Sequence, residues 1–387
     1  MLIIGAGAAG LFAAAMIKTK EGILLEAGNE AGRKLLLSGG GQCNMTHSGD
    51  IREFVRHYGD QGKKLRSTLY KASNLKMVDF FREGGLKVTE REDGKIFPQS
   101  LSAVEVRDFL LQKAGDNGWR VLYGEKAEKV ELRGTGWLVN DRYETDRLLV
   151  ASGGRSYAAT GSDGSMFKIL GGLGLELVKQ RPALTPVFVQ DYPFADLSGI
   201  SFPDAKLRIK DGEKTAMRFE GSLLLTHRNF SGPLILDASR YLETGDTIEI
   251  GFYSGDTADC RGVDRSLARY IAKVTGLPER FVEKVIEMEG TDAYAKASTV
   301  AGGDVKRIFE SLHGMRFSIS GKAGYERAMV TAGGVSLREV DLKTFECKKH
   351  PGLYLAGEVL DVDGDTGGYN LQFAFSSAAA VARACQP

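Results

Sequence analysis

The chain has 387 residues, too many for one ordinary core, so two or three domains are expected. Its 51 Lys and Arg balance 50 Asp and Glu, which excludes a binder relying on a broadly basic surface, and no nucleic-acid partner is expected. No apolar run approaches the ~18 residues of a membrane span, no basic leader precedes the first strand, and Cys43, Cys260, Cys347 and Cys385 form no CxxC pair, so neither a membrane span, a disulfide framework nor a zinc ribbon is expected, and a cytoplasmic location is.

The chain opens on an apolar strand, Leu2-Ile3-Ile4, followed by the turn Gly5-Ala6-Gly7-Ala8-Ala9-Gly10 and an Ala-rich helix from Leu11 to Lys18. A second strand, Ile23-Leu24-Leu25-Glu26, ends in an acid 21 residues after Gly5. This is a dinucleotide fingerprint: Gly5 permits the tight turn, Gly7 lets backbone approach a pyrophosphate, and Gly10 lets the helix pack closely on the sheet. The helix start offers free N–H groups and a positive dipole end to phosphate. Glu26 suits the two hydroxyls of an adenosine ribose and repels a 2′-phosphate, which points to FAD or NAD rather than NADP. Ala8, Ala9 and Ala27 share these turns.

Next comes Gly32-Arg33-Lys34-Leu35-Leu36-Leu37-Ser38-Gly39-Gly40-Gly41-Gln42-Cys43-Asn44. Three consecutive glycines suit backbone lying against a flat ligand, and Arg33 and Lys34 stand where a pyrophosphate or adenosine is expected; a flexible loop with a solvated basic pair is the plainer reading. The stretches 118–122, 129–132, 136–139 and 143–146 read as a β-meander inserted in the nucleotide domain. Main-chain groups near Val130 are candidates for adenine contact, although a packed strand residue is the commoner use. Leu148-Leu149-Val150-Ala151-Ser152-Gly153-Gly154 reads as a strand crossing back beneath the dinucleotide.

From Val187 to about Phe252, short alternating segments between turn signals predict an antiparallel sheet or small barrel. From about Arg265 to Leu312 the apolar spacing turns helical. Phe317-Ser318-Ile319 is expected to rejoin the sheet before Ala328-Met329-Val330 re-enters the nucleotide domain. The expected domains are 1–182 with 326–387 for the nucleotide, 183–260 with 314–325 for a β-rich substrate domain, and 261–313 for a small helical domain. The last motif is a strand broken at Gly357, Gly352-Leu353-Tyr354-Leu355-Ala356-Gly357-Glu358-Val359-Leu360-Asp361, then Gly367-Gly368 opening a helix that runs to Ala384. A helix start there would stabilise the negative charge of a reduced flavin near N1 and O2. A nicotinamide enzyme has no need of it, so the two ends of the chain should meet on one flavin.

Gly32-Arg33-Lys34 through Gly41, Cys43-Asn44, Gly153-Gly154-Arg155-Ser156-Tyr157, Leu225-Thr226-His227, Ser231-Gly232-Pro233, Thr331-Ala332-Gly333-Gly334-Val335, and Ala356 to Asp361 with Gly367 to Gln372 together resemble the YhiN/BaiN family of bacterial flavoproteins over nearly the whole chain. The resemblance implies an α/β fold in which a discontinuous two-part Rossmann-like domain binds FAD and carries an inserted antiparallel β-rich domain and a small helical domain. Some members resemble a bile-acid enone reductase, others an aminoacetone oxidase. The chain departs from the family at Gln42, where Arg is usual, at His47, where Asn is usual, and at Ala158, where Pro is usual.

The expected activity is FAD-dependent hydride transfer between flavin N5 and a small organic substrate docked between the nucleotide and β-rich domains. NAD(P)H-linked reduction of an enone is the first version. Oxidation of an amine or amino ketone with oxygen is the second, and a non-catalytic flavin-binding or RNA-modification partner is the rival from another class. A second GxGxxG for NAD(P)H is absent, so that nucleotide would act as a transient donor. Cys43 lacks the neighbouring cysteine of disulfide-coupled flavin reductases and is expected to be a small packed residue. His227 is the candidate proton relay, with a turn-stabilising role as the alternative. Gly357, Glu358 and Asp361 are candidates for the ribitol side, and Gly368, Tyr369, Asn370 and Leu371 for the flavin. Trp119 and Trp137 are expected in the core. His47, His57, His313 and His350 form no metal spacing with the cysteines, and no metal is expected.

Overall fold

The computed structural model describes residues 1–386. It divides into two compact units, one made of residues 1–183 and those from Tyr325 onward, the other of Leu184–Gly324. The first begins with β1 (Leu2–Ile4), α1 (Ala8–Met16), β2 (Gly22–Glu26), α2 (Arg33–Leu37), β3 (Thr46–His47), α3 (Ile51–Phe54), α4 (Gly62–Lys71), α5 (Asn74–Glu83), β4 (Val88–Glu90), β5 (Lys95–Pro98), α6 (Ala103–Asp116) and β6 (Trp119–Tyr123). It continues with β7 (Val130–Arg133), β8 (Gly136–Val139), β9 (Tyr143–Thr145), β10 (Leu148–Val150), α7 (Ser165–Gly172) and β11 (Leu177–Ala183). The inserted unit holds β12 (Val187–Val189), β13 (Ser201–Asp211), β14 (Lys214–Leu225), β15 (Phe230–Ser231), α8 (Pro233–Ala238), β16 (Thr247–Gly251), α9 (Leu267–Thr275), α10 (Glu279–Met288), α11 (Gly302–His313) and β17 (Met315–Lys322). The first unit resumes with β18 (Val330–Val335), β19 (Leu353–Leu355) and α12 (Tyr369–Cys385).

The centre of the first unit is a parallel sheet in the order β19-β10-β1-β2-β6. Leu2 is paired with Leu148, and Leu148 with Leu353, so a strand from each end of the chain flanks the same neighbour. Short, wholly apolar strands are what a parallel sheet covered on both faces demands. The helix α1 is buried from Ala9 to Ala15, and its small side chains let it lie against sheet and neighbouring helices at once. The meander is confined to β7-β8-β9, and Trp119–Tyr123 instead forms the parallel edge strand beside β2. That edge strand is only partly covered, with Trp119 buried, Arg120 and Tyr123 exposed and Val121 and Leu122 half-buried, as a hairpin strand can be, so its sequence alone does not place it.

In the inserted unit six antiparallel strands close into a barrel in the order β12-β15-β14-β13-β16-β17, which leaves no free sheet edge. The helices α9 to α11 bury apolar residues three and four apart, such as Phe281, Val282, Val285 and Ile286, and share one core with the barrel strands.

Candidate functional site

The turn after β1 is built without room for side chains. A Cβ at Gly10 would stand 1.9 Å from the Gly5 carbonyl oxygen, and Gly5 (φ 100°) would meet the Ala151 carbonyl oxygen at 2.5 Å. Gly7, by contrast, faces open space, and so does Gly40. The turn therefore presents backbone, backed by the α1 start, to whatever lies in front of it. Ala8 and Ala9 form that helix start, and Ala27 is exposed beyond β2. Glu26 is buried at the end of β2 and accepts hydrogen bonds from the Ala6 N–H (3.1 Å) and the Gly28 N–H (2.8 Å). Arg33 opens α2 beside Gly28.

The end of β10 adds polar groups at the same place. The Ala151 N–H is taken by Ile4 (2.8 Å), but the buried Ser152 hydroxyl has no partner. The Ser162 hydroxyl, 2.8 Å from where a Cβ of Gly153 would stand, is also buried without a partner, and so is the Asn44 Oδ1. Ser152 and Ser162 thus leave two unpartnered oxygens beside the Gly153 turn, and Asn44, next to Gly39, leaves a third; burial without a partner is costly unless a polar group meets it. Ser162 was outside the sequence reading; its signal is the Gly161-Ser162 pair in a loop where a Cβ on Gly161 would stand 3.7 Å from Glu26 Oε1.

The C-terminal segment meets this turn directly: the Ala9 Cβ lies 3.0 Å from the Cβ position of Gly357. Lys34 and Glu358, 324 residues apart, form an ion pair at 2.6 Å. The same carboxylate accepts from the Thr331 N–H (2.8 Å) and the Ser156 hydroxyl (3.3 Å). Lys34 and Glu358, which the sequence offered for the pyrophosphate or adenosine side and for the ribitol side, thus tie four chain segments together through Ser156 and Thr331. Asp361 accepts from Gln61 (2.6 Å), and burial raises its carboxyl pKa above the usual value.

At the start of α12, Gly368 (φ 100°) lies against the Thr46 carbonyl, where a Cβ would stand 2.7 Å away. The Tyr369 ring stacks on His57 (3.9 Å) and lies near-parallel to His47 (5.5 Å), both at 13°. His57 Nδ1 is 2.9 Å from Asp365 Oδ2. The Asn370 side chain accepts from the Gly364 N–H and donates to the Gly364 and Asp365 carbonyls, so it holds the preceding loop, and Leu371 follows it half-buried. The His57–Asp365 pair lay outside the sequence reading, because its partners are 308 residues apart.

Cys43 is buried with a positive φ of 60°, and burial pushes its thiol up to about 12 although Ser38 pulls the other way. At Gln42 the side-chain oxygen accepts from Arg91 (2.6 Å), so a guanidinium stands beside the position where the resemblance expects one. Val130 is buried in the meander and lines an open groove with Ile169 and Leu173. His227 is exposed in the turn between β14 and β15, and that turn is held by Thr226 and Asn229 instead. No cluster of three or more metal-ligating side chains occurs among the described residues, and no helix among them is long and apolar enough to cross a membrane.

A parallel βαβ start with a glycine turn, a buried acid after the second strand and a returning C-terminal strand and helix define the two-part Rossmann class of dinucleotide-binding oxidoreductases. Residues 1–384 match the family described as HI0933-like protein Rossmann domain, and the chain belongs to that family of YhiN/BaiN-type flavoproteins, FAD-dependent oxidoreductases. It is 31% identical to a ribosomal RNA dihydrouridine synthase of Haemophilus influenzae, over 98% of this chain and 97% of that protein. It is 27% identical to a 3-dehydro-bile acid delta(4,6)-reductase of Clostridium scindens, over 99% of this chain and 98% of the relative. In fold it resembles a 3-ketosteroid-delta4-(5alpha)-dehydrogenase of Rhodococcus jostii, with a TM-score of 0.52 at 14% identity, covering 100% of this chain and 96% of the other.

Proposed function

We propose that the chain uses FAD to reduce a carbon–carbon double bond conjugated to a carbonyl, and that this bond is the C5=C6 of a uracil in ribosomal RNA. One observation carries the reading: full-length relatives are named for a uridine reduction and for a steroid dienone reduction, and these are the same chemistry. In both, a hydride adds to the electrophilic end of a double bond conjugated to the carbonyl, C6 in the uracil, and a proton adds to the other end, C5 in the uracil. Bound and reduced, FAD supplies the hydride, with NAD(P)H as the donor that regenerates it.

The chain's own residues fit that group. The Gly5–Gly10 turn and the α1 start would take the pyrophosphate, Glu26 the ribose, and the orphaned Ser152, Ser162 and Asn44 oxygens further polar atoms of the cofactor. The Lys34–Glu358–Thr331 network holds the C-terminal segment against the turn, and the α12 start behind Gly367-Gly368 would face the flavin pyrimidine edge. As proton donor we put forward His57: with its Nδ1–H donated to Asp365, Nε2 would give up a proton from the imidazolium form and hold a lone pair in the neutral form.

The test is anaerobic mixing of the purified protein with NADH or NADPH, then with unmodified ribosomal RNA or a steroid enone, following the flavin band and dihydrouridine by mass spectrometry. Bleaching by the donor and recovery with RNA, with dihydrouridine formed, is the expected result. Recovery with the steroid alone would move the substrate to a small enone. No bleaching by either nucleotide, with reduction by an amine and reoxidation by oxygen, would replace reductase with oxidase.

A further inference from the structure

The chain's near-zero net charge hides one uneven stretch. From Gln61 to Val78 there are five basic residues, Lys63, Lys64, Arg66, Lys71 and Lys76, and no Asp or Glu. Most of this run is α4, whose inner face buries Leu65, Thr68 and Leu69 while Lys63, Lys64, Arg66, Tyr70 and Lys71 are exposed. Some basic side chains elsewhere on the surface are neutralised close by: Arg56 by Glu53 (2.5 Å), Lys129 by Asp141 (2.8 Å), Arg316 by Glu213 (2.8 Å). On α4, Lys63, Arg66 and Lys71 have no acidic partner among the described residues, and the Arg66 guanidinium lies over the exposed Tyr70 ring (5.6 Å). Leaving like charges together costs stability through mutual repulsion unless a polyanion meets them.

The platform is rigid and adjoins the site. The Ala72 carbonyl, just past α4, accepts from Gln372 (3.0 Å) and Ser376 (2.8 Å) of α12. Thr68 donates to the Leu342 carbonyl (2.9 Å), and Asn74 donates to the carbonyls of His47 and Gly49. The segment that enters α4 carries His57 and Tyr58; His57 stacks on Tyr369, and the Tyr58 hydroxyl donates to the Tyr369 carbonyl (2.8 Å). The basic face is therefore fixed to the same helix start that the proposed reading puts at the flavin.

We infer that the outer face of α4 docks the phosphate backbone of the RNA substrate, resting on the reading above that RNA is the substrate. A helix of ten residues is about 15 Å long, enough for roughly four phosphates of one strand. Lysines and an arginine supply sequence-independent contacts, and the exposed Tyr70 offers a face on which an unpaired base can stack. The apolar residues of α4 are turned inward, which removes the buried face that a membrane-surface helix uses.

The experiment replaces Lys63, Arg66 and Lys71 together by Gln in the full chain. Lys64 is left in place because it hydrogen-bonds Gln61, the partner of Asp361. Binding of in-vitro-transcribed ribosomal RNA is measured by fluorescence anisotropy from roughly 50 to 200 mM KCl, with turnover of the same RNA and of 2-cyclohexen-1-one measured in parallel. The expected result is RNA affinity at least about tenfold weaker, with the slope of log affinity against log salt shallower by about two to three. Flavin content and cyclohexenone turnover should match the parent, and the K63R/K71R pair with Arg66 retained should bind RNA as the parent does. Unchanged RNA affinity and slope in the triple variant overturn the docking face while leaving the substrate reading intact. RNA binding that depends on α4 without dihydrouridine formation sinks the substrate reading and keeps the docking face. Binding to phosphatidylserine vesicles in preference to RNA, lost in the same variant, assigns the face to a membrane and overturns the inference.

Discussion

Cysteine chemistry can be settled residue by residue. Cys43, Cys260, Cys347 and Cys385 are all free and buried, and burial raises the pKa of each thiol, Cys43 to about 12. Near pH 8 each is a neutral thiol, a poor nucleophile and a poor partner for disulfide exchange. The native protein should give almost no reaction with a thiol reagent there, and all four groups should appear on unfolding; rapid native labelling of Cys43 would reopen a redox role. The linkage sign is fixed by the same shift. A folded-state pKa above the unfolded value stabilises the fold in full below about pH 9, and that contribution is lost as pH rises toward 12, so denaturant midpoints should fall over that window. Glu26 makes a different residue-scale prediction. Glu26→Ala strands the Ala6 and Gly28 N–H groups at a cost of about 2 kcal/mol, and it should also lower FAD occupancy, read as the ratio of flavin to protein absorbance. An unchanged ratio would remove Glu26 from the ribose role.

At the scale of the element, the first turn separates packing from binding. A Cβ at Gly10 collides with the Gly5 carbonyl, so Gly10→Ala must push α1 off β1, with a stability loss of about 1–3 kcal/mol and loss of flavin. A Cβ at Gly7 meets nothing within 4 Å, and its φ of −83° suits any residue. Gly7→Ala should therefore keep the parent melting temperature yet purify with less flavin; full occupancy in that variant would argue that no ligand lies against the open face. This turn was legible in the sequence because strand, glycines, helix and acid are local and each has one physical task. The C-terminal glycine strand and helix were legible for the same reason. What escaped was made by the fold between distant residues: the Lys34–Glu358 pair, the His57–Asp365 pair, and Asn370 locked onto its own loop. The strand at Trp119 was misplaced because a solvent-washed edge of a parallel sheet is half-exposed, as a hairpin strand is. The basic face of α4 was missed because charge had been summed over the whole chain, where acids elsewhere cancel it.

The whole molecule is a nucleotide unit interrupted once, and the interruption is built to be removable. Within the inserted unit, Val187 is paired with Lys322, so its first and last strands are neighbours. Within the first unit, Ala183 is paired with Val330, and the Tyr157 N–H donates to the Tyr325 carbonyl (3.2 Å) while the Arg155 guanidinium covers the Tyr325 ring (4.6 Å). Both cut ends are thus held by contacts inside their own unit, and each unit has its own apolar core. Excisions succeed where ends lie close and few buried groups are cut. Joining Ala183 to Tyr325 through a short Gly-Ser linker should give a protein that unfolds cooperatively and is yellow, with the parent's flavin-to-protein ratio, because every residue assigned to the cofactor lies in the first unit. His227 is lost in that variant while His57 remains, so flavin bleaching by a nicotinamide donor without His227 would remove that histidine from the reductive half of the cycle. A colourless but folded product would show that the inserted unit contributes to holding the cofactor, and the assignment of the site to the first unit alone would have to be given up.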